Sequence, residues 1–132
     1  CIQNNAKSTL VLPADIPLIT REDIDQIVEL GSQERSVVIS ASRNGGTNAL
    51  LQKPANLISP FFGPHSFNKH VKEALDRGIV ARIYSSPRVA LDIDSLKDLE
   101  DFFRSESQTS SHRFLEQIRL SHRLGSQACR HI

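Results

Sequence analysis

The chain has 132 residues, 39% of them hydrophobic and 23% charged, the length and balance of a single globular domain, which excludes collagen-like, mucin-like and wholly disordered polypeptides. Its apolar runs last only a few residues, far short of the roughly 20 that a membrane-spanning helix needs. Sixteen Lys and Arg against fifteen Asp and Glu leave a formal charge of +1, which argues against nucleic acid or another polyanion as partner and gives no reason to expect a membrane surface.

In chain order, Ser8 to Pro13 is a short apolar run, read as a strand buried on both faces. Thr20 with Asp23 is a helix N-cap signal, followed by Ile24, Ile27, Val28 and Leu30 at helical spacing and by Gly31 as a stop. Ser36 to Ala41 is a second buried strand, and Ala49 to Lys53 a third, followed by a proline-punctuated loop to Pro64. Ser66 is expected to cap a helix reaching about Arg77, with Phe67, Val71, Ala74 and Leu75 toward the core. Ile79 to Tyr84 reads as another strand and Val89 to Ile93 as a last extended segment. Ser95 with Asp98 caps a helix through Phe102 and Phe103. This alternation predicts an α/β fold with a mostly parallel sheet flanked by helices.

Composition changes near Ser105. All six prolines precede it, and residues 105–132 carry four arginines against two glutamates. We therefore expect an α/β domain over 1–104, then a polar linker from Ser105 to Ser111 and an amphipathic basic helix from His112 to Leu124. Four arginines without aromatic partners favour packing on the domain or on a second subunit over RNA or lipid binding. His112, His122 and His131 lack a compact metal-ligand spacing. Cys1 and Cys129, at opposite ends, read as free thiols of a cytoplasmic protein. The absence of Met and the start at Cys1, close to a core strand, suggest a piece of something longer.

Ligands of open α/β sheets bind outside the carboxyl ends of the strands, and three features fall at such ends. Asp15 follows the first strand between Pro13 and Pro17, which restrict its backbone; it is either a turn stabiliser or a ligand. Asp92 and Asp94, two apart in an extended segment, point to one side and suit a divalent cation such as Mg²⁺, although Asp94 also suits the start of the following helix. Ser42-Arg43-Asn44-Gly45-Gly46-Thr47-Asn48 is either a tight hairpin turn or a glycine loop presenting N–H groups to an anion. Downstream, Gly63 lies just before a helix whose N-terminus has N–H donors for a phosphate or carboxylate. His65 reads as exposed rather than as an acid or base.

Together, Val38 to Leu51, Phe62-Gly63-Pro64-His65-Ser66-Phe67 and Leu91-Asp92-Ile93-Asp94 resemble blocks of the 2-phospho-L-lactate (phosphoenolpyruvate) guanylyltransferases of coenzyme F-420 biosynthesis, over about residues 9–103. Leu12 to Leu18 resembles the strand and aspartate of the wider nucleotidyltransferase fold. The resemblance implies a Rossmann-like fold, Mg²⁺ on Asp15, Asp92 and Asp94, and a phosphorylated three-carbon acid on Thr47, Gly63 and Ser66. It implies transfer of GMP from GTP with release of pyrophosphate. It also implies that the nucleotide-gripping N-terminal segment of the family is not in this sequence, so that these residues alone are incomplete for activity. Two alternatives remain: a related nucleotidyltransferase with another acceptor, and a catalytically silent module of the same fold that forms a homodimer through its basic tail.

Overall fold

In the computed structural model, residues 5–118 are described. The elements follow in the order β1 (Thr9–Val11), α1 (Arg21–Leu30), β2 (Ser36–Ala41), β3 (Thr47–Lys53), α2 (Ser66–Asp76), β4 (Arg82–Ile83), α3 (Pro87–Ala90), α4 (Leu96–Arg104) and α5 (Ser110–Gln117). Four strands form one sheet in the order β1-β3-β2-β4. The β1–β3 and β2–β3 pairs are antiparallel, and only β2–β4 is parallel. The sheet is therefore mixed where a mostly parallel one was expected. The reason is the short connection between β2 and β3. Residues 42–46 suffice for a hairpin but not for the dozen or more residues of a parallel crossover. The return from β3 through α2 is long enough to bring β4 alongside β2 in parallel.

Helices cover both faces. Val37, Ile39 and Leu50 pack on one face with Ala74 of α2, while Val38, Ala49 and Leu51 pack on the other with Ile27 of α1 and Val89 of α3. Strands β2 and β3 are buried almost throughout, so their sequences show continuous apolar runs instead of alternation. Strand β1 is not buried on both faces as expected: it pairs only with β3, and Val11 is exposed. An edge strand has one covered flank and needs less apolar surface.

Thr20 caps α1 with a full capping box, its side chain accepting from the Asp23 N–H while the Asp23 carboxylate accepts from the Thr20 N–H. Only Asp23 and Ile27 of that helix are buried; Val28 and Leu30 remain exposed. In α2 the buried stripe is Ser66, His70 and Ala74, spaced by four. Leu75, expected in the core, is instead exposed, because the helix turns its polar Ser66–His70 row inward. Residues 89–93 were expected to be extended, but Ser86 caps Val89 and Pro87 stands at the first helical position, which makes the short α3.

The chain forms two compact units, Cys1–Asp92 and Ile93–Ile132. The change in composition near Ser105 falls inside the second, between α4 and α5. In that unit the His112 ring stacks on Phe103 at 5.2 Å, and its Nε2 lies 2.7 Å from the Phe103 carbonyl oxygen. Residues 119–124 of the expected basic helix, His122, His131 and both cysteines lie outside the described residues. Among the described residues no helix is long and apolar enough to cross a membrane.

Candidate functional site

Strand β3 carries an irregularity where it leaves the hairpin. Ser40 pairs with Ala49, but Ala41 pairs with Thr47, so Asn48 is an extra residue, a bulge. Its consequence is the direction of Thr47. In regular alternation Thr47 would share a face with Ala49 and Leu51, toward α1. With the bulge, Asn48 and Ala49 both face that side, Asn48 donating to the Val89 carbonyl at 2.9 Å. Thr47 is thereby re-aimed to the α2 face.

There it meets the inward row of α2. Ser66 Oγ donates to Thr47 Oγ1 at 3.1 Å, and His70 Nδ1 lies 2.9 Å from the same oxygen. His70 Nε2 in turn accepts from the Phe61 N–H at 2.8 Å. All three side chains are buried, His70 completely. The rings of Phe61 and Phe62, themselves exposed, lie 6.1 and 5.5 Å from the imidazole. Burial pushes the His70 pKa below its ordinary value, and the nearby Glu73 carboxylate offsets this only in part, so the ring is neutral near pH 7.

The N–H groups expected to face an anion are largely spent within the fold. Gly45 N–H donates to the Ser42 carbonyl, and Gly46 N–H to Ser42 Oγ at 2.9 Å. At the start of α2, Ser66 N–H donates to the Gly63 carbonyl and Phe67 N–H to that of Gly45. The glycine loop is thus the hairpin turn that Asn44-Gly45 signals, and these bonds hold it against the start of α2. A Cβ on Gly46 would lie 2.9 Å from Ser42 Oγ, so this position tolerates no side chain without displacing its own hydrogen-bond partner. Gly63 differs: its φ is +112°, and nothing lies within 4 Å of where a Cβ would stand. Open space therefore adjoins the residue that the sequence marks for close approach. His65 caps α2 from a left-handed conformation, with no side-chain bond to the helix.

The acidic residues are placed differently. Asp15 is exposed in the turn after β1. Asp92 is half-buried, two residues beyond Ala90, whose carbonyl accepts from the Arg43 N–H of the hairpin loop at 3.1 Å. Asp94 is exposed and precedes Ser95, the cap of α4, whose capping box uses Asp98. Among the described residues, no three His, Cys, Asp or Glu side chains form a group that could hold a metal ion. The structure thus brings Thr47 and Ser66 together; Asp15 and Asp92 lie in the first compact unit and Asp94 in the second.

Sequence reasoning missed two groups. His70 stands four residues after Ser66, and the i, i+4 spacing on a helix was a readable signal. Asp23 was read only as part of a cap. It is fully buried, and it accepts from Tyr84 Oη at 2.8 Å, Ser86 Oγ at 2.9 Å and both Nε and Nη2 of Arg88 at 2.9 Å. Burial alone would raise its pKa; the Arg88 guanidinium and the Thr20 and Tyr84 hydroxyls outweigh that and hold it below the usual carboxylate range.

The fold is an α/β one, a mixed sheet with helices on both faces, and a buried polar cluster of Thr47, Ser66 and His70 lies beside the β2–β3 hairpin. A crystal structure from Desulfovibrio desulfuricans, described as a nucleotide-diphospho-sugar transferase, shares that fold with a TM-score of 0.71 at 12% identity, over 88% of this chain and 53% of the other. The chain belongs to the family described as guanylyl transferase CofC like, whose model matches residues 1–130. It is 38% identical over 114 residues to the 2-phospho-L-lactate guanylyltransferase of Methanocaldococcus vulcanius, covering 86% of this chain and 52% of that protein. It is 40% identical over 99 residues to the phosphoenolpyruvate guanylyltransferase of Rubrobacter xylanophilus, covering 74% and 48% respectively. The chain thus spans about half the length of the curated relatives it matches.

Proposed function

We propose that the protein carrying this chain transfers GMP from GTP to 2-phospho-L-lactate or phosphoenolpyruvate, releasing pyrophosphate, in coenzyme F-420 biosynthesis. An acceptor phosphate oxygen attacks the α-phosphorus of GTP; that P–O bond forms as the bond to the bridging oxygen of pyrophosphate breaks. No general base is needed, because the phosphate monoester is already anionic near pH 7. This chain supplies the acceptor side: Thr47 and Ser66 offer hydroxyls, and Gly63 gives the acid room to approach.

The observation that carries this reading is the Thr47–Ser66 hydroxyl pair, buried and 3.1 Å apart, reached only because the bulge at Asn48 turns Thr47 toward α2. Metal binding by Asp15, Asp92 and Asp94 belongs to the same proposal. Their hard oxygens suit Mg²⁺, but they form no group that could hold an ion on the described residues alone, so a resident metal on this set needs ligands or a rearrangement beyond them.

The test is pyrophosphate release from GTP with each acid. Release that depends on either acid is expected; release with neither contradicts the reading. Asp92→Ala is expected to lower the rate at least tenfold, and an unchanged rate removes Asp92 from the metal assignment.

A further inference from the structure

We infer that His70, locked in one tautomer, is a positioning residue that turns the Thr47 hydroxyl hydrogen toward a bound anion. The inference rests on the acceptor reading of the site given above and identifies the device that orients its donor.

The chain of hydrogen bonds has a single consistent direction. The Phe61 backbone N–H can only donate, and it points at His70 Nε2 at 2.8 Å, so Nε2 carries no hydrogen. A neutral imidazole with an unprotonated Nε2 bears its hydrogen on Nδ1. That Nδ1–H, 2.9 Å from Thr47 Oγ1, must donate to it. Ser66 Oγ–H donates to the same oxygen at 3.1 Å. A hydroxyl oxygen has two lone pairs and one hydrogen. Both lone pairs of Thr47 Oγ1 are then occupied, and its hydrogen is driven into the remaining direction, where no described residue accepts it. A buried hydroxyl hydrogen with its own oxygen doubly engaged is a preorganised donor, and a phosphate or carboxylate oxygen is the acceptor it best suits. Protonated His70 would set Nε2–H against the Phe61 N–H, so the fold itself disfavours the charged ring.

Two measurements test this. In the wild-type protein, ¹⁵N–¹H correlation spectra of the His70 ring are expected to show hydrogen on Nδ1 and a bare Nε2, the less common tautomer of free histidine; hydrogen on Nε2 overturns the inference. Phosphoenolpyruvate and 2-phospho-L-lactate are then titrated into wild type, His70→Leu and His70→Asn. His70→Leu is expected to weaken acid binding, and to raise the KM for the acid tenfold or more with kcat little changed. His70→Asn, whose amide can still donate toward Thr47, is expected to recover part of the affinity. Wild-type affinity in His70→Leu overturns the inference alone. Binding of neither acid by wild type overturns the acceptor reading, and the positioning role falls with it. Should His70→Leu fail to fold, the tautomer and the His70→Asn titration decide, with an Asn variant no better than unfolded background counting against the inference.

Discussion

Under the proposed acceptor role, Thr47→Val is expected to weaken binding of the phosphorylated acid by about ten- to a hundredfold, the equivalent of one hydrogen bond to a charged group at about 1.5–3 kcal/mol. Valine keeps the shape and the β propensity of the position, so the hairpin and its bulge are retained. What disappears is the oxygen on which three groups converge. Ser66 and His70 both lose their acceptor, and the anion loses its donor. The cost to folding is about 1–3 kcal/mol for each buried donor left without its acceptor, Ser66 Oγ–H and His70 Nδ1–H. Thr47→Ser restores the oxygen without the methyl group and is expected to recover most of the affinity. Calorimetric titration with phosphoenolpyruvate compares the three proteins; equal affinity of Thr47→Val and wild type contradicts the role given to the hydroxyl.

Asp23→Ala is expected to destabilise the protein by about 3 kcal/mol, at the lower end of the range for removing one partner of a buried charged network. The low end applies because Arg88 is partly exposed and can turn to water, whereas Tyr84 and Ser86 are buried and cannot. The carboxylate ties α1 to the segment after β4 across more than sixty residues of sequence. Its effect also has a defined pH dependence. The folded-state pKa lies below that of the unfolded chain, about 3.9, so the unfolded state takes up a proton first as pH falls. The contribution of Asp23 is therefore complete above the unfolded value and declines as acid is added through the folded one. Urea midpoints of wild type and Asp23→Ala should differ most near neutral pH and converge in strong acid. A gap that widens on acidification contradicts the assignment.

Local signals carried much of the fold. The Thr20–Asp23 capping pair, the apolar runs of β2 and β3 and the Asn44-Gly45 turn are each short-range features, and the structure realises each of them. Direction of pairing was less legible, because a five-residue connection and a crossover differ in length more than in composition. Asp23 shows the limit most clearly. Its capping bond is local and readable, whereas its tertiary partners lie more than sixty positions away, and nothing in the pattern around residue 23 announces them. The site divides in the same way. Thr47, Gly63 and Ser66 were proposed from the resemblance, but Thr47 faces α2 only through the bulge at Asn48, and alternation alone assigns it to the opposite face. His70 was legible in principle from its spacing to Ser66, but a histidine within an amphipathic helix is easily read as surface.

Amide chemical shifts recorded during titration with phosphoenolpyruvate locate the acceptor site without any turnover. Saturable changes are predicted at Asn44 to Thr47 and at Phe62 to Phe67, the two segments that the Gly45–Phe67 and Ser66–Thr47 bonds hold together, and these changes should weaken sharply in Thr47→Val. Saturable changes confined to other parts of the chain, or a Thr47→Val spectrum that responds as wild type does, contradict the placement of the acid on this hydroxyl pair.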